Sequence, residues 1–172
     1  MSKVESLAEL MPQRQRRRTL IKGAAWSVPV LALAVASPAA AASVVDIGAF
    51  GFVGTCGVLG VHGPGFIIMP SATAPIPTGT TIVITGSGVS NIGAFSATPS
   101  GYTSIAVLSS TSRMVMVIAP IPAGVSVALR ATLWTSVQFT LNSAVAVPDA
   151  YSATGAKTAG TVSSTVARCS TT

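Results

Sequence analysis

The stretch VSVALRATLWTSVQFTL, residues 125–141, decides the fold class. Val125, Val127, Leu129, Ala131, Leu133, Val137, Phe139 and Leu141 share one parity, with Thr135 the exception. Ser126, Arg130, Thr132, Ser136, Gln138 and Thr140 take the other. Successive side chains of a strand point to opposite faces, so this spacing builds one apolar face and one hydroxyl-rich face. After residue 43, no segment sustains the 3.6-residue hydrophobic spacing of a helix over a helical length.

Outward from this stretch, short β-branched runs alternate with Gly, Pro, Ser and Asn, the pattern of an all-β domain. Strands are expected at 45–52, 65–69, 80–85, 92–97, 102–108, 113–119, 125–133, 135–141 and 161–168. Met114-Val115-Met116-Val117-Ile118 is apolar on both parities, which predicts a place in the middle of the packing. Ala74-Pro75-Ile76-Pro77-Thr78-Gly79 returns as Ala119-Pro120-Ile121-Pro122-Ala123-Gly124, 45 residues later. Proline has no N–H and ends pairing, and Pro-x-Gly suits a tight turn, so the two copies predict two corresponding crossings between sheets. The expected fold is an immunoglobulin-like two-sheet sandwich.

The first 42 residues read as a removable export leader, leaving a single β-sandwich domain over 43–172. Arg14, Arg16, Arg17, Arg18 and Lys22 form a basic region ahead of an apolar run at about 23–36. That run is short for a bilayer span, which takes about 20 apolar residues, so an uncleaved anchor is disfavoured. Ala39-Ala40-Ala41-Ala42 then supplies small side chains for a signal peptidase. Cleavage is placed between Ala42 and Ser43, with Ala40 and Ala41 equally legal sites. Arg17, Arg18, Leu20, Ile21 and Lys22 resemble the twin-arginine export signal, although Arg16 stands where that signal usually carries Ser or Thr. An ordinary secretory leader is the alternative. Expected partners are therefore the twin-arginine or general secretion machinery and signal peptidase, and the expected location is secreted or attached to the cell surface.

Of the ten bases and four acids behind the net charge of +6, six bases and two acids lie in the leader. The remaining domain carries Arg113, Arg130, Lys157 and Arg168 against Asp46 and Asp149. Four scattered bases are no footprint for nucleic acid. Six charges in such a domain are few, and Ser and Thr supply its polar surface instead. An uncharged hydroxyl surface repels other surfaces weakly, which suits contact with an envelope, a glycan or a protein partner. Cys56 and Cys169 lie near the two ends of the domain, and an oxidising compartment predicts one disulfide between them. Closing a loop of this size stabilises by about 4–5 kcal/mol in the chain-entropy model. Two free thiols in a metal site are the alternative, but no CxxC and no His pair accompanies them.

The domain holds one His, two Asp and no Glu, a thin inventory for acid–base catalysis. A hydroxyl nucleophile with His62 and Asp46 or Asp149 can be assembled only on paper, and no GxSxG elbow accompanies it. His62 lies in Val61-His62-Gly63-Pro64-Gly65, a turn sequence, which favours an exposed loop residue. A copper site would draw on His62, Met69, Met114 and Met116. Core filling by those methionines is the simpler expectation. Two carboxylates are too few for calcium. No cofactor is expected. Trp134 falls on the hydroxyl parity and is the candidate surface contact for a sugar ring or protein, unless a loop covers it.

The leader, the Ala-Pro-Ile-Pro-x-Gly turns and the terminal cysteines together resemble small exported β-rich proteins of actinobacteria. That resemblance implies export but no catalytic residues. The function expected is a secreted, non-catalytic binding or structural module of the envelope or extracellular space. A membrane-embedded β assembly of an outer envelope is the second expectation, because alternating strands with few charges also suit such barrels. A small secreted hydrolase using His62 is the third. The domain contains neither an LPxTG-type anchoring signal nor a C-terminal hydrophobic tail.

Overall fold

Twelve strands make up the described part of the protein in a computed structural model. The described residues are 43–58, 61–133, 136–165 and 168–172. The leader residues Arg17, Arg18, Leu20, Ile21, Lys22 and Ala42, together with Trp134, lie outside them. The strands are β1 (Val45–Asp46), β2 (Gly51–Thr55), β3 (Gly65–Met69), β4 (Thr81–Ser87), β5 (Phe95–Thr98) and β6 (Thr103–Ser109). They continue as β7 (Ser112–Val117), β8 (Val127–Ala131), β9 (Phe139–Ala146), β10 (Tyr151–Ser152), β11 (Ala159–Thr165) and β12 (Arg168–Thr171). No helix occurs among the described residues.

A six-stranded sheet in the order β12-β11-β9-β4-β7-β6 packs against a four-stranded sheet in the order β2-β3-β8-β5. Both sheets are antiparallel throughout, and β1 pairs in parallel with β10. Between the sheets, Ile82, Ile84, Val115, Val117, Phe139, Leu141 and Val162 meet Phe52, Phe66, Ile68, Val127 and Leu129, all buried. The Phe52 and Phe66 rings stack with centroids 5.4 Å apart. Burying aliphatic and aromatic side chains of this size stabilises by about 1.5–3 kcal/mol each, the largest favourable contribution to the fold.

The stretch 125–141 carries the chain from one sheet to the other. Val127, Leu129 and Ala131 face the core from β8, and Phe139 and Leu141 face it from β9. The same alternation runs on through Ser143 and Val145, so β9 is longer than its expected end at residue 141. Val137 sits in the connection and is exposed, although it keeps the apolar parity.

Three expectations change. The run 45–52 is two strands, because Gly48 takes φ 71°, a left-handed conformation that ends the extended backbone. The run 161–168 is the arm and start of a hairpin, with Thr165 paired to Arg168. Residues 114–118 are buried on one face only. Val115 and Val117 enter the core, whereas Met116 and Ile118 stay exposed on the outer face of the six-stranded sheet. β7 is an interior strand of that sheet, but no described layer covers its outer side.

The repeated Ala-Pro-Ile-Pro segments do cross between sheets. The first joins β3 to β4 and the second joins β7 to β8, moving between the sheets in opposite directions. They also pair with each other: Ile76 and Ile121 exchange two backbone hydrogen bonds of 3.0 Å, and both side chains are buried. Each copy ends in the same turn, with the Thr80 and Val125 amides donating to the Pro77 and Pro122 carbonyls. Gly79 and Gly124 both adopt positive φ there.

Candidate functional site

Strand direction sorts the charged residues toward the two ends of the sandwich. β2, β4, β9 and β12 share registers with their neighbours that put Thr55, Gly65, Arg130, Ser112, Phe139 and Arg168 toward one end. Arg113, Arg130, Arg168 and the loop bearing His62 all belong to that end. Asp46 and Asp149 belong to the other, beside the β1–β10 pair, where the Lys157 amide also donates to the Phe50 carbonyl. Five-residue β2 alone separates His62 from the Asp46 end by roughly 16 Å. A His–carboxylate pair is therefore not assembled, and the hydrolase constellation of His62 with Asp46 or Asp149 has no geometric basis.

Asp46 instead organises its own loop. Its carboxylate accepts from the Gly48 amide at 2.9 Å and the Thr154 amide at 3.0 Å. Hydrogen bonds from Thr154, and then from Gly48, hold its carboxyl below the ordinary value of 3.8 despite its exposure.

The sulfur-bearing residues also separate. Met69 lies on the outer face of the four-stranded sheet, and Met114 and Met116 lie on the outer face of the six-stranded sheet. They face opposite sides of the molecule, so a copper site with His62 is not formed. The expectation that these methionines fill the core is also overturned, since the inner positions of β7 go to Arg113, Val115 and Val117 and Met69 faces outward. Cys56 and Cys169 are disulfide-bonded, S–S 2.04 Å, across a separation of 113 residues. The bridge joins the β2 edge of one sheet to the β12 edge of the other. Beside the bridge Gly54 lets β2 approach β11, since a Cβ there would lie 2.5 Å from the Thr161 carbonyl oxygen. Ser43, the expected first residue after cleavage, is exposed.

At the basic end two clefts flank residues 131–133, which lead into Trp134. One, of about 350 Å³, lies over the outer face of the four-stranded sheet and is lined by His62, Ser96, Thr98, Arg130, Thr132 and Leu133, among others. Arg130 donates to the Thr55 hydroxyl at 3.0 Å, which fixes its head beside the exposed His62. The other, of about 440 Å³, opens where β5 and β6, the free edges of the two sheets, come together. Phe95, Ile105, Val107 and Leu133 give it apolar walls, and Arg113 and Asn91 give it polar ones.

Arg113 is the functional candidate that sequence reasoning missed. It is only 4% exposed, and it points inward from β7 on the same parity as Val115 and Val117. Its guanidinium donates to the carbonyls of Ser109, Ser112 (2.8 Å) and Gly93 (2.6 Å), and to the Asn91 side-chain oxygen (3.3 Å). Its Nε is buried with no hydrogen-bond partner. An arginine on the core parity of an apolar strand was the available signal.

No group of three or more His, Cys, Asp or Glu residues among those described could hold a metal ion. No known family matches the chain, and no curated protein or solved structure resembles it significantly.

Proposed function

We propose that this chain is exported and that residues 43–172 work as a non-catalytic binding module in the cell envelope or outside the cell. The observation that carries this is the separation of charge. Arg113, Arg130 and His62 line two clefts at one end with no carboxylate beside them, and both carboxylates lie toward the other end with Lys157. Acid–base chemistry needs such groups within hydrogen-bond reach, whereas a cleft edged by uncompensated cations suits recognition. The disulfide adds support for a non-reducing compartment. The twin-arginine-like leader, cleavage before Ser43 and an immunoglobulin-like kinship of the sandwich belong to the same proposal. No helix among the described residues is long and apolar enough to cross a membrane.

A membrane-embedded β assembly is the competing reading. Against it stands the placement of the apolar residues, which meet between two sheets while Thr140, Asn142, Thr161 and Ser163 line an outer face. A membrane barrel places its apolar band outward. Fractionation of expressing cells decides between them. The expected result is protein in the culture supernatant or released from the wall without detergent, beginning at Ser43. Its mass should be two hydrogens below that of the reduced form. Recovery only with detergent would overturn the proposal.

A further inference from the structure

Arg113 presents an electrostatic problem that the fold alone leaves open. A guanidinium taken out of water loses several kcal/mol of hydration, and proteins normally restore it with a carboxylate. Neither Asp46 nor Asp149 can do so. Ala146, where the chain leaves β9 toward Asp149, is three residues and two strand spacings from Arg113, roughly 14 Å in the plane of the sheet. Four neutral oxygens accept from the terminal nitrogens, but the full positive charge remains and Nε–H has no acceptor. This buried, uncompensated cation lines a cleft whose other walls are largely hydrocarbon.

We infer that the cleft between the β5 and β6 edges binds a small molecule carrying one carboxylate on an apolar body. Nε–H is the one guanidinium donor left free, so a carboxylate would gain one charge-assisted hydrogen bond there together with the attraction of the whole cation, both strengthened by the low-dielectric surroundings. Phe95, Ile105, Val107 and Leu133 would cover the apolar body, with Thr132 and Asn91 at the polar margin. A volume of about 440 Å³ falls within the range of small-molecule sites. A polyanion fits poorly, because it needs a row of exposed cations rather than one buried cation behind apolar walls. This names a ligand class for the binding module proposed above. The two can fail separately, because location is read by fractionation and ligand class by titration.

The test titrates the purified protein with decanoate, decanol and inorganic phosphate, following backbone amide chemical shifts. Decanoate should bind saturably and shift amides around residues 91–95, 105–107, 113 and 132–133. Decanol should bind about tenfold more weakly or worse, the loss of roughly one charge-assisted bond. Phosphate should leave these amides unmoved. Val107 pairs with Arg113 across β6 and β7 and is 72% exposed, so Val107→Glu places a competing carboxylate at the cleft without disturbing the core. Its affinity for decanoate should fall about tenfold at a melting temperature no lower than that of the natural protein. Arg113→Lys should also lose affinity, but Val107→Glu decides the matter if that variant does not fold. Equal binding of decanol and decanoate, shifts elsewhere, phosphate binding as tight as decanoate, or undiminished binding by Val107→Glu would each overturn the inference.

Discussion

Arg113 ties three pieces of chain to one side chain: the hairpin between β6 and β7, the loop at 91–93, and β7 itself. Shortening it to alanine would leave the Ser109, Ser112 and Gly93 carbonyls without their donor. An unsatisfied buried polar group costs about 1–3 kcal/mol, so Arg113→Ala should unfold at clearly lower denaturant concentration than the natural protein. Asp46 gives the residue scale its pH dependence. Its folded-state pKa lies below the unfolded value of 3.8, so its contribution is fully present above that value. It is lost as pH falls through the folded-state pKa. Thermal stability should therefore decline below about pH 4, and Asp46→Asn should flatten part of that decline.

At the scale of elements, the two Pro-flanked crossovers are the clearest case of mutual support. Ile76 and Ile121 are each buried and bonded to the other through the backbone. Truncating either to alanine should cost about 2–5 kcal/mol by equilibrium unfolding. The double variant should cost less than the two losses added, because they share one contact. Gly54 tests the opposite fault. Gly54→Ala would drive a methyl group into the Thr161 backbone, with an expected loss of about 1–3 kcal/mol.

These elements also mark what the sequence makes legible. Alternation at 125–141 identifies the inward residues of β8 and β9, because period two is a local property. The repeated Pro segments identify the crossovers, because proline excludes extended pairing locally. The two-sided apolar run of β7 misleads, since burial of its second face depends on whether another layer covers the sheet. The clefts are hidden for the same kind of reason. β5 and β6 are consecutive in the chain but belong to different sheets, and only the complete strand order shows that both are free edges meeting at Arg113. Thr132 and Leu133 line both clefts, and Trp134 lies outside the described residues.

For the molecule as a whole, the disulfide and the larger cleft occupy opposite sides of the sandwich. β2 and β12 are fastened through Cys56 and Cys169, while β5 and β6 meet without a covalent tie. The apolar core between the sheets does not depend on the bridge for any of its side chains except Cys169, which packs at its margin. A twin-arginine route would carry the domain across already folded, with the bridge closing outside. On that route Cys56→Ser should still be exported, though less stable, by a measure on the order of the 4–5 kcal/mol attributed to loop closure. Failure of export would favour the ordinary secretory route.

The position of the bridge also settles how the domain would carry a mechanical load. A pull on the two ends of residues 43–172 meets only Ile47, Phe50 and Phe52 of the core before it is taken up by the Cys56–Cys169 bridge. Only the segment before Cys56, which includes β1 and the edge strand β2, and the last residues of β12 can be drawn out. Together they amount to roughly 50 Å of chain. Everything from Gly57 to Arg168 is bypassed by the covalent path. In a single-molecule stretching experiment, the reduced protein should lengthen by roughly 400 Å on unfolding and the oxidised one by about an eighth of that. A domain fixed at one end and tugged at the other would thus keep the cleft between β5 and β6, whose lining residues all lie within the bypassed segment, out of the path of the load.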